Sequence, residues 1–205
     1  MSHNDERVRR LIADEAARII LDEGLADYRM AKHKAAERLN AAQTRNLPNN
    51  AEIEQAVLDR RRLFGDRAAQ DRLLALRHAA LSAMRLFVAF EPRLVGPVLS
   101  GAVSGLRQQV DLHLFADTVE EVMLLLDERG IPWEAGERRL RTGAQSHAFL
   151  PVLGFQAGDV TLEAVVFPTN GIRQAPLSPV DGRPMQRADL KEVERLLAGE
   201  TGAQA

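Results

Sequence analysis

Apolar residues recur every three or four positions over the first ninety residues, and the period shortens after Pro92. Val8, Leu11, Ile12, Ile19 and Ile20 fall on one helical face, and Gly24 offers a stop. A second helix is predicted through DYRMAKHKAAERLN, with Asp27 as N-cap and Tyr28, Ala31, Ala35 and Leu39 on one side. TRNLPNN breaks the pattern. Asn49 followed by Glu52 has the spacing of a capping box for a third helix, which should reach Phe64 and stop at Gly65. A long fourth helix follows, with Leu73, Leu76, Ala80, Met84 and Phe87 as its buried stripe, and Pro92 forbids its continuation.

Beyond Pro92, RLVGPVLSG and VDLHLFA are short, rich in Val and Leu and bounded by Gly, as strands are. Thr118 with Glu121 suggests another capping box, and Gly130 closes the helix that it opens. PWEAGERRLR, HAFLPVLGFQ and VTLEAVVFP read as three further strands, the last two joined by a hairpin turn at QAGD. Residues 168–186 carry several Pro and Gly and form a loop, and RADLKEVERLLAG makes a terminal helix. The expected class is α+β: a helical region over 1–92, a small mixed sheet with flanking helices over 93–199, and a flexible tail over 200–205.

Composition narrows the function classes. The 205 residues are 45% hydrophobic and 27% charged, as in an ordinary globular protein, and the 4% aromatic share leaves the core to aliphatic side chains. A net charge of −2 indicates neither nucleic acid nor an anionic membrane as partner. The absence of Cys excludes disulfides, thiolate metal sites and thiol nucleophiles, and suits a reducing compartment. The polar N-terminus is unlike a signal peptide, and no apolar run approaches the ~20 residues of a membrane span. A cytoplasmic protein is expected. The helix carrying Val8 to Ile20 should dock on the long helix through Leu73–Phe87 or form a homodimer contact.

Candidate chemistry centres on PVLSGAVSGLRQQVDLHLFAD. A Gly/Ser turn lets backbone N–H groups approach a phosphate, and strand positions two apart project to the same side. Asp111 and His113 would therefore point together. Glu163, set among apolar residues in TLEAVVF, is the best further acid from a neighbouring strand. SGAVSG followed by VDLHLF resembles the nucleotidyltransferase superfamily, whose core has a Gly-Ser turn before a strand with an Asp-x-Asp pair. The resemblance covers about residues 93–167. It implies phosphate contacts at Ser100, Gly101, Ser104 and Gly105, and metal ligands at Asp111, His113 and Glu163, with Asp111 and Glu163 as catalytic acids. The implied cofactor is Mg or Mn with a nucleoside triphosphate.

The departure is His113 in the place of the second acid, since imidazole is a poor ligand for magnesium. This points to a degenerate member that binds a nucleotide or a nucleotide-bearing partner with weak or no catalysis. Two readings stand beside it: an active metal-dependent nucleotidyltransferase, and a non-enzymatic interaction or scaffold protein. Other signals are weaker. Arg60–Arg62 suit a helix C-terminus, and the scattered histidines have no zinc spacing. Arg173, Arg183 and Arg187 of the long loop could hold phosphate, or simply border a surface crossover. There is no P-loop signature, and GAVSG has the wrong register for a nucleophile elbow.

Overall fold

The computed structural model describes residues 3–25, 27–64, 67–103, 108–143 and 145–202. The class is α+β, with an N-terminal helical region followed by a five-stranded mixed sheet and flanking helices. None of the described helices is long and apolar enough to cross a membrane. The chain divides into two units. One comprises residues 1–70, 101–107 and 179–182; the other comprises 71–100, 108–178 and 183–205. The division thus falls inside the long helix, after Gln70, whereas the change of period lies at Pro92.

The first unit is built on α1 (His3–Glu23), α2 (Tyr28–Arg38) and α3 (Asn50–Phe64). The buried stripe of α1 is Ile12, Ala13, Ala16, Ala17, Ile19 and Ile20, and it packs on α2 and α3. Leu11 is not part of it and stands 46% exposed. At 100° per residue, a stripe centred on positions 12, 16 and 19 turns position 11 toward solvent. The facing residues of α2 are Ala31, Ala35 and Ala36, small enough to let the helices approach closely, while Leu39 is 40% exposed. The helix starts follow the capping signals. The Asp27 carboxylate accepts from the N–H groups of Arg29 and Met30. Asn49 and Glu52 form a reciprocal capping box at 2.8 and 2.9 Å. Gly65, the expected stop of α3, lies outside the described residues.

The second unit holds α4 (Arg67–Leu86) from Asp71 onward, β1 (Arg93–Val95), α5 (Gly96–Ser100), β2 (Gln109–Phe115), α6 (Val119–Glu128), β3 (Trp133–Arg141), β4 (His147–Ala157), β5 (Val160–Phe167) and α7 (Leu190–Gly202). The strand order is β1-β2-β5-β4-β3. The β2–β5 pair is parallel and the other three are antiparallel. One sheet face is apolar: Val110, Leu112, Leu114, Leu162, Ala164, Val166, Leu153 and Phe155 are buried there, and Phe87 at the end of α4 meets Phe155 edge-on at 5.6 Å. The opposite face carries the polar residues discussed below.

Two local expectations change. RLVGPVLSG is not one strand. β1 ends at Val95, Gly96 takes φ +72°, and Pro97 stands in the first turn of the short helix α5, where its missing N–H leaves no donor unpaired. Thr118 makes no capping bond to the backbone, and its hydroxyl instead donates to Glu121 at 3.5 Å. The β4–β5 hairpin forms at the expected turn with Gly158 at φ +61°. The 168–186 loop contains a short 3-10 helix, Thr169–Arg173, and a bridge between Leu177 and Pro184. Ala188 then pairs with Leu94, covering part of the β1 edge before Asp189 and Glu192 cap α7.

Candidate functional site

The parallel register of β2 and β5 sets Asp111 opposite Glu163 and His113 opposite Val165. Residues in register on adjacent strands, and residues two apart on one strand, share a face. Asp111, His113 and Glu163 therefore lie on the same face of the sheet, and the register of β1 adds Arg93 opposite His113. Following the row outward, Glu163 pairs with Gly154, and Gly154 with Glu134. Gly136 and Arg138 belong to the same face of β3.

The β3–β4 hairpin extends beyond the end of β5, because β4 pairs with β5 only over Val152–Ala157. Pro151 sits in the part of β4 that pairs with β3 but not with β5, as suits a proline in a sheet. Leu140 and Leu150 from this extension pack with Phe115, Val152, Val165 and Phe167, so the hairpin folds back over the polar face. That contact brings Arg138 to both acids. Its Nη1 donates to Asp111 Oδ1 at 3.2 Å and its Nη2 donates to Glu163 Oε2. Gln109 Nε2 donates to Asp111 Oδ1 as well, at 3.0 Å.

His113 is 2% exposed and faces a different partner. Its Nδ1 accepts from Arg187 Nε at 3.0 Å, so in the neutral ring the proton is on Nε2. The Arg187 guanidinium also donates to the carbonyls of Gly171 and Ile172 and stacks over the rings of Phe115 and Phe167 at 5.0 and 4.8 Å. Burial, then the charges of Arg187 and Arg138, push the imidazole down to about 3, so it is neutral at every ordinary pH. Burial and the neighbouring Arg93 push Arg187 down to about 10, and it stays charged.

Of the four expected phosphate contacts, Ser100 belongs to the sheet unit, where it ends α5. Gly101 is in the helical unit, and its carbonyl accepts from Arg61 Nη1 at 2.7 Å. Ser104 and Gly105 lie outside the described residues. Gly96 closely approaches Asp111. A Cβ on it would come within 3.3 Å of Asp111 Oδ2, and its φ of +72° disfavours any other residue. Gly96→Ala is expected to lower stability by about 1–2 kcal/mol, read as a reduced denaturation midpoint at unchanged m value. Arg77, buried at 5% exposure, fixes the other end of α5 by donating to the carbonyls of Val98 and Leu99, both at 3.0 Å.

No group of three His, Asp or Glu among the described residues is placed to hold a metal ion. The local contacts explain why Asp111, His113 and Glu163 do not fit one. A guanidinium already bridges the two carboxylates, and the imidazole nitrogen that could turn to a metal accepts from Arg187. What the face offers instead is carboxylate oxygens held in a fixed geometry, which can accept from hydroxyl or amine donors of a ligand. An open groove of about 550 Å³ occurs on the helical unit, lined by Glu6, Arg9, Asp14, Glu52 and Asp59 among others, with Arg9 and Glu52 paired at 2.5 Å.

No protein-family model matches the chain, and no curated protein matches it. The two arginines that define the site, Arg138 and Arg187, had different visibility in the sequence. Arg187 stood out as a loop arginine, though not as the partner of His113 seventy-four residues earlier. Arg138 shares its strand with Glu134, Glu137, Arg139 and Arg141, and no local pattern singles it out. In the register it stands opposite Leu150, and Gly136, two positions earlier on the same face, leaves open space beside it.

Proposed function

We propose that the sheet unit is a degenerate nucleotidyltransferase-like domain that binds a nucleotide or a nucleotide-bearing partner and has weak or no transfer activity. The observation that carries this reading is the in-register pair Asp111 and Glu163 on adjacent parallel strands, with Gly96 packed against Asp111 at the end of β1. The resemblance calls for a Gly-Ser turn before the acid-bearing strand; in this chain Gly96 and the short helix α5 also precede that strand, and Gly96 is the glycine set against Asp111. Weak or absent transfer follows from the donor set: His113 is neutral, buried and committed to Arg187, and the acids are bridged by Arg138.

The test is thermal stabilisation by ATP, GTP, CTP and UTP at millimolar concentration, each with and without magnesium. A ligand at a hundred times its dissociation constant should add roughly 2.7 kcal/mol, and Asp111→Asn should remove much of the effect. No shift with any of the four would overturn the reading and leave an interaction or scaffold role. Robust transfer by the wild type that disappears in Glu163→Gln would establish the active-enzyme alternative.

A further inference from the structure

The fold reading implies a divalent cation at Asp111 and Glu163, and the residues there do not fit one. We propose that Arg138 is the resident cation of this acid pair, a guanidinium standing where a divalent ion would be held, so that the face takes its ligand without a divalent metal. The statement about the ligand rests on the function proposed above; the statement about the cation does not.

Two carboxylates in register on adjacent strands are about 4.8 Å apart at the backbone and repel unless a positive charge sits between them. The chain supplies that charge from β3. A guanidinium presents paired N–H donors in a planar fork, which suits two carboxylates better than a single ammonium would. It does not deprotonate at working pH and cannot dissociate from the protein. The donors also engage one oxygen of each acid. Asp111 Oδ1 accepts from both Arg138 and Gln109, Glu163 Oε2 accepts from Arg138, and Asp111 Oδ2 lies against Gly96. An approaching divalent ion would further be repelled by the guanidinium itself. The contact is built in rather than incidental, because Leu140, two residues from Arg138, is anchored in the cluster with Phe115, Val165 and Phe167, and Gly136 leaves the path open on the other side.

The experiment measures Mn²⁺ binding to the full-length protein by electron paramagnetic resonance of the free ion, with no nucleotide present. Wild type, Arg138→Gln, Arg138→Lys and the double variant Arg138→Gln/Glu163→Gln are compared, with circular dichroism as a check on folding. Arg138→Gln should bind Mn²⁺ at least about tenfold more tightly than the wild type, which corresponds to ~1.4 kcal/mol. The double variant should lose that gain, and Arg138→Lys should stay within about threefold of the wild type. Wild-type binding as tight as that of Arg138→Gln would overturn the proposal, as would a folded Arg138→Gln that gains nothing. Should Arg138→Gln not fold, the Lys variant decides: unchanged affinity supports the proposal, and a tenfold gain with the charge retained defeats it. A nucleotide shift that requires magnesium in the wild type would also overturn it. Absence of any nucleotide shift would remove the proposed function while leaving the Mn²⁺ result to stand on its own.

Discussion

Ile12→Asp is expected to unfold the helical unit, while Leu11→Asp one position earlier leaves it intact. Ile12 is fully buried within a cluster formed by α1, α2 and α3, whose other members include Ile19, Ala31, Ala35, Ile53 and Val57. A carboxylate there would have no partner among apolar side chains. Either its charge is desolvated or its pKa rises until it protonates, and both routes cost free energy. Losses of about 3–5 kcal/mol follow from an unpaired buried charge together with lost packing. Leu11 is 46% exposed, so a charge there meets water and should change stability by no more than about 0.5 kcal/mol. Hydrogen exchange on the full chain checks the contrast. Amides of α1–α3 should lose protection in Ile12→Asp and keep it in Leu11→Asp. Equal protection in the two variants would mean that the packing of α1 is misassigned.

The one-residue error at Leu11 shows how far periodicity reaches. Val8, Leu11 and Ile12 are compatible with more than one angular centre for the stripe, and the choice among them is made by the alanine-rich surface of α2, which lies beyond the local pattern. Capping residues were more legible, because a cap acts within three positions of its own chain: Asp27 and the Asn49–Glu52 box form as their spacing suggests. Thr118 and Glu121 have the same spacing, yet their side chains bond to each other rather than to the backbone. At Gly96-Pro97 the Val and Leu that follow suggested a strand. A glycine able to take φ +72° and a proline suited to a first helical turn already pointed the other way.

Of the residues gathered on the polar sheet face, the acids were legible in the sequence and the arginines were not. Alternation within two short apolar strands identified Asp111, His113 and Glu163, and the parallel β2–β5 pairing puts all three on one face. The groups that decide their chemistry come from 27 and 74 residues further along the chain. No local period encodes such contacts. They depend on the β3–β4 hairpin folding over the sheet and on the 187–188 segment running beside β1. His113 illustrates the consequence. Read as a candidate metal ligand, it is a buried neutral acceptor locked to a guanidinium.

That burial gives His113 a strong effect on acid stability. Its folded pKa of about 3 lies below the ordinary value of 6.5, so the unfolded chain binds a proton more readily than the folded one. Stability from this group is fully present above pH 6.5 and is lost as pH falls from 6.5 toward 3, with a limiting slope of about 1.4 kcal/mol per pH unit. Between pH 6.5 and 5 the loss should approach about 2 kcal/mol. Glu15, Glu23 and Glu52 are also held below their ordinary range by hydrogen bonds from Arg18, Lys34 and Arg9 respectively, but their contributions fade only at more acid pH, around and below 4.5. The window above pH 5 therefore isolates the histidine. His113→Gln keeps an oxygen that can accept from Arg187 and removes the titration. The variant should be less stable at pH 7, where the native packing is lost, yet its unfolding free energy should be nearly flat from pH 6.5 to 5 while that of the wild type declines. Urea titrations at several pH values measure both. Parallel curves for the two proteins across that window would show that His113 is not the group that charges on unfolding, and that Arg187 does not hold it neutral.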